Sequence, residues 1–189
     1  MNTRKITISG VLFAAGLIIH QLMPPILGVT PDVQLAVLFI VILINDSFKG
    51  AIAAGIVSGI ITALTTKLPG AQLPNMIDKI VSCIIMYFVL ILLLKLSKYI
   101  STKSQGKSGL FPRFLQYSSS IYSVMAIVGL LGTVVSGTVF LISLLYIVGM
   151  PPGMTIGFLF ITSVIPTSII NLFLTPALYK IVQRSLKSA

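Results

Sequence analysis

The chain has 189 residues, of which 56% are hydrophobic and only 8% are charged. Soluble domains carry about 25% charged residues, so this composition indicates an integral membrane protein with several crossings. The formal net charge of +10 does not indicate nucleic-acid binding, because the basic residues stand at the ends of apolar runs, where topology signals occur. At roughly 20 apolar residues per crossing, the length fits six helices and excludes an added nucleotide-binding domain.

Six apolar spans are predicted, and we expect them to form a single all-α transmembrane domain over residues 1–189. They cover residues 5–23, 31–45, 48–66, 76–96, 117–148 and 155–182. The first span follows Arg4 and Lys5 as a signal peptide would, but no small-residue cleavage site follows it. We therefore interpret it as a retained first helix.

The basic residues predict the orientation of the six spans. With the N-terminus in the cytoplasm, eleven of the thirteen lysines and arginines fall on the inner side, and only Lys67 and Lys79 fall on the outer side. Such an excess is typical of cytoplasmic loops. The sequence therefore predicts that both termini are cytoplasmic.

Small residues recur every four positions on several predicted helices. Gly10 and Ala14 do so on the first helix, and Gly55 and Gly59 do so on the third. Such stripes let two helices approach closely in lipid. Packing within the chain explains most of them, but the first-helix stripe at Gly10 and Ala14 is our candidate for docking a partner membrane protein.

The sixth predicted helix carries a polar stripe at four-residue spacing, near Pro166 and Pro176. Hydroxyl groups can satisfy backbone carbonyls freed by proline, which explains most of the stripe. Asn171 is different, because a carboxamide at membrane depth requires partners. Contact with another helix and contact with a ligand both remain open for it. The stripe consists of Ser163, Thr167, Asn171 and Thr175.

Residues 62–79 form a polar segment between two apolar spans, in a chain with three aspartates and no glutamate. Asn75 is placed to cap the fourth helix, which would put Asp78 in the first turn and direct Lys79 outward. Asp32, at the start of the second span, lies on the same side. A carboxylate beside a helix N-terminus can bind an α-amino acid zwitterion, although capping alone is an alternative role. The candidate substrate-binding residues are Asp32, Gln72, Asn75, Asp78, Lys79 and Asn171.

The run 63–79, Ala-Leu-Thr-Thr-Lys-Leu-Pro-Gly-Ala-Gln-Leu-Pro-Asn-Met-Ile-Asp-Lys, resembles the bacterial tryptophan transport protein family. Residues 28–32, Gly-Val-Thr-Pro-Asp, and 13–20, Phe-Ala-Ala-Gly-Leu-Ile-Ile-His, are similar to the first loop and first helix of that family. The family is related to the substrate-binding S components of energy-coupling factor (ECF) transporters. The resemblance implies an S-component-like bundle in the bacterial plasma membrane. This bundle would capture tryptophan under the outer loops at residues 24–31, 67–75 and 149–154.

The resemblance also implies partners, namely a transmembrane coupling subunit and two cytosolic ATPases, with Gly10 and Ala14 at the docking helix. Asp32 or Asp78 would hold the ammonium group of tryptophan. Asn75, Lys79 and the N-terminus of the fourth helix would receive its carboxylate, and the indole would lie among helices four to six. The chain has no Walker A sequence, so the ATPase activity must belong to partners.

Three alternatives remain open. An ion-coupled transporter working alone would need coupling groups at mid-membrane, whereas the aspartates lie near predicted helix ends. A vitamin could replace tryptophan on the same scaffold. One histidine, the single Cys83 and the lack of glutamate argue against an intramembrane enzyme or a metal site, and no cofactor is expected.

Overall fold

The computed structural model describes residues 3–22, 32–104, 121–150 and 153–188, which form helices and turns without a β-strand. A π-helical turn, Phe160–Val164, joins the last two helices into one continuous sixth span. The helices are α1 Thr3–Leu22, α2 Val33–Asn45, α3 Phe48–Thr65, α4 Gln72–Ser104, α5 Ile121–Ile147, α6 Ile156–Leu159 and α7 Ile165–Ser188.

Five of the described spans are long and apolar enough to cross a membrane, and the shorter α2 makes six. The predicted all-α, polytopic fold is therefore confirmed. The predicted span ends at residues 23, 31 and 117, the loop 24–31, and residues 151 and 152 of another predicted loop lie outside the described residues.

The short helix α2 forms the centre of the bundle. It contacts α1, α3, α4, α5 and α7, and nearly all of its side chains are buried. A helix that is apolar on all sides is stable only when other helices surround it. Its 13 residues extend about 20 Å, less than the roughly 30 Å hydrocarbon thickness, so its ends lie within the bundle.

The helix α4 is longer than predicted at both ends. It begins at Gln72 rather than at residue 76, because Pro74 lies in the first turn, where a backbone N–H has no partner within the helix. It continues to Ser104 rather than to residue 96, since no glycine or proline interrupts the lysine-rich end. At 33 residues it extends about 50 Å, which exceeds the hydrocarbon core.

Close helix approaches explain most of the small-residue stripes. A Cβ atom at Gly55 would lie 2.8 Å from Cβ of Cys83, so the α3 stripe packs on α4. On α5, a Cβ at Gly129 would overlap the carbonyl of Asn171, and one at Gly137 would press on Val164. The α1 stripe differs, because Gly10 and Ala14 face outward and a Cβ at Gly10 would meet nothing within 4 Å.

A proline accounts for the π-helical turn in the sixth span. Pro166 has no N–H, and in a regular α-helix its ring would clash with the carbonyl of Thr162. The wider turn relieves this clash, and the N–H of Ile165 donates to the carbonyl of Phe160, five residues earlier. The turn lies beside the cavities described below, so it changes which side chains face them.

We expect Gly129→Ala to lower the thermal stability of the protein. The added methyl group would separate α5 from α7, and overpacking of this kind costs about 1–3 kcal/mol. The matched control is Gly10→Ala, where the methyl group meets open space. Melting of both variants in detergent, followed by size-exclusion chromatography, checks the prediction, and equal melting of the two would contradict it.

Candidate substrate site

A three-residue ion network connects two helices of the bundle. The Nζ atom of Lys79 lies 3.0 Å from Oδ2 of Asp32 and 2.8 Å from Oδ2 of Asp78. Lys79 and Asp78 are 2% and 1% exposed, so both charges are removed from solvent. The expectation that Lys79 extends outward is therefore wrong, because its partners on α4 and before α2 hold the ammonium group inside the bundle.

The two aspartates of this network differ in how accessible their carboxylate oxygens are to a further hydrogen-bond donor. Asp78 accepts hydrogen bonds from Lys79 and Ser136 at Oδ2, and from Ser82 at Oδ1, with only 2% of its side chain exposed. Asp32 caps α2 by accepting from the N–H of Leu35 at 2.9 Å, and a quarter of its side chain remains exposed. Asp32 is therefore the carboxylate that an incoming group can reach.

The ammonium group of Lys79 has no donor left for a ligand. Its three N–H bonds point to Asp32, to Asp78 and, at 3.2 Å, to Oγ of Ser136. Lys79 therefore positions the carboxylates rather than offering a site for a substrate carboxylate. With all three charged groups ionised, the network carries one net negative charge.

Two adjoining cavities open above this network. The outer one has a volume of about 380 Å³ and the inner one about 230 Å³. The outer volume falls within the roughly 300–1,000 Å³ typical of small-molecule sites. The cavities share part of their lining, so they form one continuous space that ends on the ion network. The shared residues are Asp32, Asn75, Phe140, Ser163 and Val164.

The two cavities have a polar side and an apolar side. Thr62, Thr65, Lys67 and Asn75 line the outer cavity from the end of α3 and the start of α4. Leu68, between α3 and α4, is an apolar residue on this side. The other apolar residues of the outer cavity come from α5 and the sixth span, and Phe140 supplies an aromatic ring there. They are Phe140, Leu141, Leu144, Leu159 and Val164.

The structure brings four of the six predicted site residues together. Asp32, Asn75, Asp78 and Lys79 all line the inner cavity. Asn75 does so from within the first turn of α4, so the prediction that it caps this helix is wrong. The cause is again Pro74, which moves the start of the helix to Gln72.

The other two predicted residues lie away from the cavities. Gln72 is exposed at the first position of α4 and lines neither cavity. Asn171 is fully buried, and its Nδ2 donates to Oγ1 of Thr133 at 2.9 Å and to the backbone carbonyl of Asp32 at 3.5 Å. Asn171 therefore connects α7 to α5 and to the start of α2, below the cavity floor.

Sequence reasoning missed Lys67, Phe140 and Ser136 as site residues. Lys67 is predicted to be an outer basic residue in the loop 67–75, but not a residue that contacts the substrate. Phe140 follows Ser136 by four positions, so both lie on one face of α5. That spacing was visible in the sequence, but an apolar helix gives no signal for which face meets the centre of the bundle.

A helical bundle with an open, charged cavity at one end is the architecture of a multi-pass membrane transport protein, and comparison with known proteins agrees. The chain belongs to the tryptophan transporter family, because the family model "Tryptophan transporter TrpP" matches residues 2–187. It is thus a multi-pass protein of a bacterial membrane and not an enzyme.

Three relatives carry the description "Probable tryptophan transport protein". The protein of Clostridium perfringens is 41% identical over all of this chain and 96% of its own length. Those of Clostridium acetobutylicum and Bacillus subtilis are 37% and 36% identical, over 99% of this chain and 96% and 95% of their own lengths. No solved structure matches the chain.

We expect Lys79→Met to destabilise the protein by about 3–5 kcal/mol, because it leaves two carboxylates without their shared counter-ion in a buried site. Adding Asp78→Asn should recover part of the loss, since Asp32 remains partly exposed. Lys67→Met is the control, because Lys67 is exposed. Thermal melting in detergent checks these variants. A Lys79→Met protein with the same melting temperature as the wild type would refute the prediction.

Proposed function

We propose that this protein captures tryptophan in the two adjoining cavities and serves its uptake into the cell. The observation that carries the proposal is the ion network at the bottom of the cavities, in which two aspartates share one lysine and Asp32 stays partly exposed. With all three groups ionised, the network has a net negative charge. A net charge at membrane depth is costly, and a ligand ammonium group is a suitable counter-ion. The names of the full-length relatives supply tryptophan as the amino acid.

The ammonium group of tryptophan would bind to Asp32. Its Oδ1 accepts one hydrogen bond and its Oδ2 another, which leaves lone pairs on both oxygens. Asp78 would act indirectly, because its oxygens already bind Lys79, Ser136 and Ser82. Asp78 thus holds Lys79 in place, and Lys79 in turn orients Asp32.

The carboxylate of tryptophan would bind to Asn75 and Lys67 rather than to Lys79. Asn75 lines both cavities, and Lys67 lines the outer one. Lys67 forms no ion pair among the described residues, so its ammonium group is available. An amino-acid zwitterion would therefore find opposite charges at two levels of the same space.

The indole would lie against the apolar side of the cavities, formed by α5 and the sixth span. Phe140 offers its ring at the junction of the two cavities, where offset or edge-to-face contact between aromatic rings is favourable. The apolar side of the cavities therefore favours an aromatic amino acid over a polar vitamin as the ligand.

We further propose that uptake requires an ECF-type module, with a transmembrane coupling subunit and two cytosolic ATPases. The outward-facing stripe at Gly10 and Ala14 supports this, because it leaves room for a partner helix. The buried network at Lys79 favours the rival role, an ion-coupled transporter acting alone, because buried charges also occur in proton relays. Under the predicted topology, the cavity end carries only Lys67 and Lys79 of the chain's thirteen lysines and arginines, so it would face outward.

We expect Asp32→Asn to abolish the preference for ligands with an ammonium group. Wild-type protein should bind tryptophan far more tightly than indole-3-propionate, which lacks that group, and the variant should bind both weakly and about equally. Because the chain contains no Trp, the emission of the ligand indole reports binding directly.

The reciprocal variant is Lys67→Gln, which should weaken the binding of tryptophan. The binding of tryptamine should stay unchanged, because tryptamine lacks the carboxylate. Thr102→Val, on the exposed end of α4, is the control for both variants. If Asp32→Asn kept its discrimination against indole-3-propionate, the ammonium would have to bind elsewhere.

We expect Gly10→Leu to reduce tryptophan uptake in cells while tryptophan binding by the purified protein stays unchanged, since the added side chain would block a docking helix. Ala177→Leu, at an exposed position of α7, is the matched control. Uptake is measured with labelled tryptophan in cells with and without the coupling subunits. Full uptake without those subunits would favour the ion-coupled alternative.

A further inference from the structure

Ser163 is a hydroxyl-bearing residue in the π-helical turn that lines both cavities. Its side chain is partly exposed, and it forms no hydrogen bond with any described residue. A free hydroxyl group between two cavities is available to a ligand as donor or acceptor.

Ser163 lies within the π-helical turn, beside Val164. Here Ser163 and Val164 both line the two cavities, and the missing Cβ of Gly137 makes room for Val164. Turns of this kind are frequent at functional sites.

Most of the other hydroxyl groups of the cavities are already in use. The exception among the described residues is Thr167, which lines only the inner cavity, near the ion network. Ser136 accepts from Lys79 and donates to Asp78. Thr133 donates to the carbonyl of Gly129 and accepts from Asn171.

On α3, Thr62 and Thr65 each donate to a carbonyl of their own helix, Thr62 to Ser58 and Thr65 to Ile61. In the linker after α3, Thr66 accepts from the N–H of Leu68. Of the polar residues shared by the two cavities, Asp32 and Asn75 are the groups proposed above to bind the ammonium and the carboxylate. Among the described residues that line both cavities, Ser163 is therefore the polar one without an assigned partner in that scheme.

We propose that Oγ of Ser163 accepts a hydrogen bond from the indole N–H of bound tryptophan and thereby selects indole over other aromatic rings. This inference rests on the proposed function. The indole nitrogen is a donor only, and a buried donor without an acceptor is costly. Ser163 lies with Phe140 at the junction of the cavities, on the apolar side where the ring would be placed.

The test compares tryptophan with 3-benzothienyl-L-alanine, an isostere in which sulfur replaces the indole N–H. Wild-type protein should bind tryptophan roughly tenfold or more tightly, as expected for a buried donor that loses its partner. Ser163→Ala should remove this preference by weakening tryptophan binding alone. Ser163→Thr, which keeps a hydroxyl group, should restore it. The affinity for tryptophan is measured from the change in its indole emission on binding. The affinity for the isostere is measured by displacing bound tryptophan and monitoring the same emission.

The matched control is Thr162→Val, which removes the neighbouring hydroxyl on the exposed face of the same turn. This variant should keep the preference. A Ser163→Ala protein that still prefers tryptophan, or that loses affinity equally for both ligands, overturns the assignment of Ser163 alone. Wild-type protein that binds neither ligand overturns the proposed function, and the assignment with it.

Discussion

The sharing of one lysine between two aspartates is the interaction on which the rest of the structure depends. A charged group cannot be buried in a bilayer-spanning bundle without partners, and here Lys79 satisfies all three of its donors with Asp32, Asp78 and Ser136. These partners come from the start of α2, from α4 and from α5. The ion network therefore fixes how three helices meet, and it does so at the floor of the cavities.

The helix packing around the network follows from small residues and from one proline. Gly55 and Gly59 bring α3 against α4, and Gly129 brings α5 against the carbonyl of Asn171. Pro166 forces the π-helical turn that faces the cavities. The two cavities described above lie beside this turn, and both end on residues near the ion network.

The two aspartates illustrate how similar residues acquire different roles from their surroundings. Asp78 is enclosed, with three donors on its two oxygens, while Asp32 is partly open to both cavities. With all three groups ionised, the two aspartates and Lys79 together carry one negative charge, and Asp32 is the carboxylate of the two that a ligand can reach. In the proposed mechanism, the enclosed pair Asp78 and Lys79 holds Asp32 in the ionised form and orientation that an ammonium group requires.

The sequence alone determined the membrane class, the helix count and the family, because apolar length, charge placement and local motifs are properties of the chain itself. It also singled out Asp32, Asn75, Asp78 and Lys79, since charged residues are so rare in this chain. Only the tertiary structure decided that Lys79 faces inward, that Gln72 faces away, and that Phe140 and Ser163 border the cavities. The physical reason is that a helix apolar on every side carries no signal for which face meets its neighbours, so side-chain direction is decided by packing.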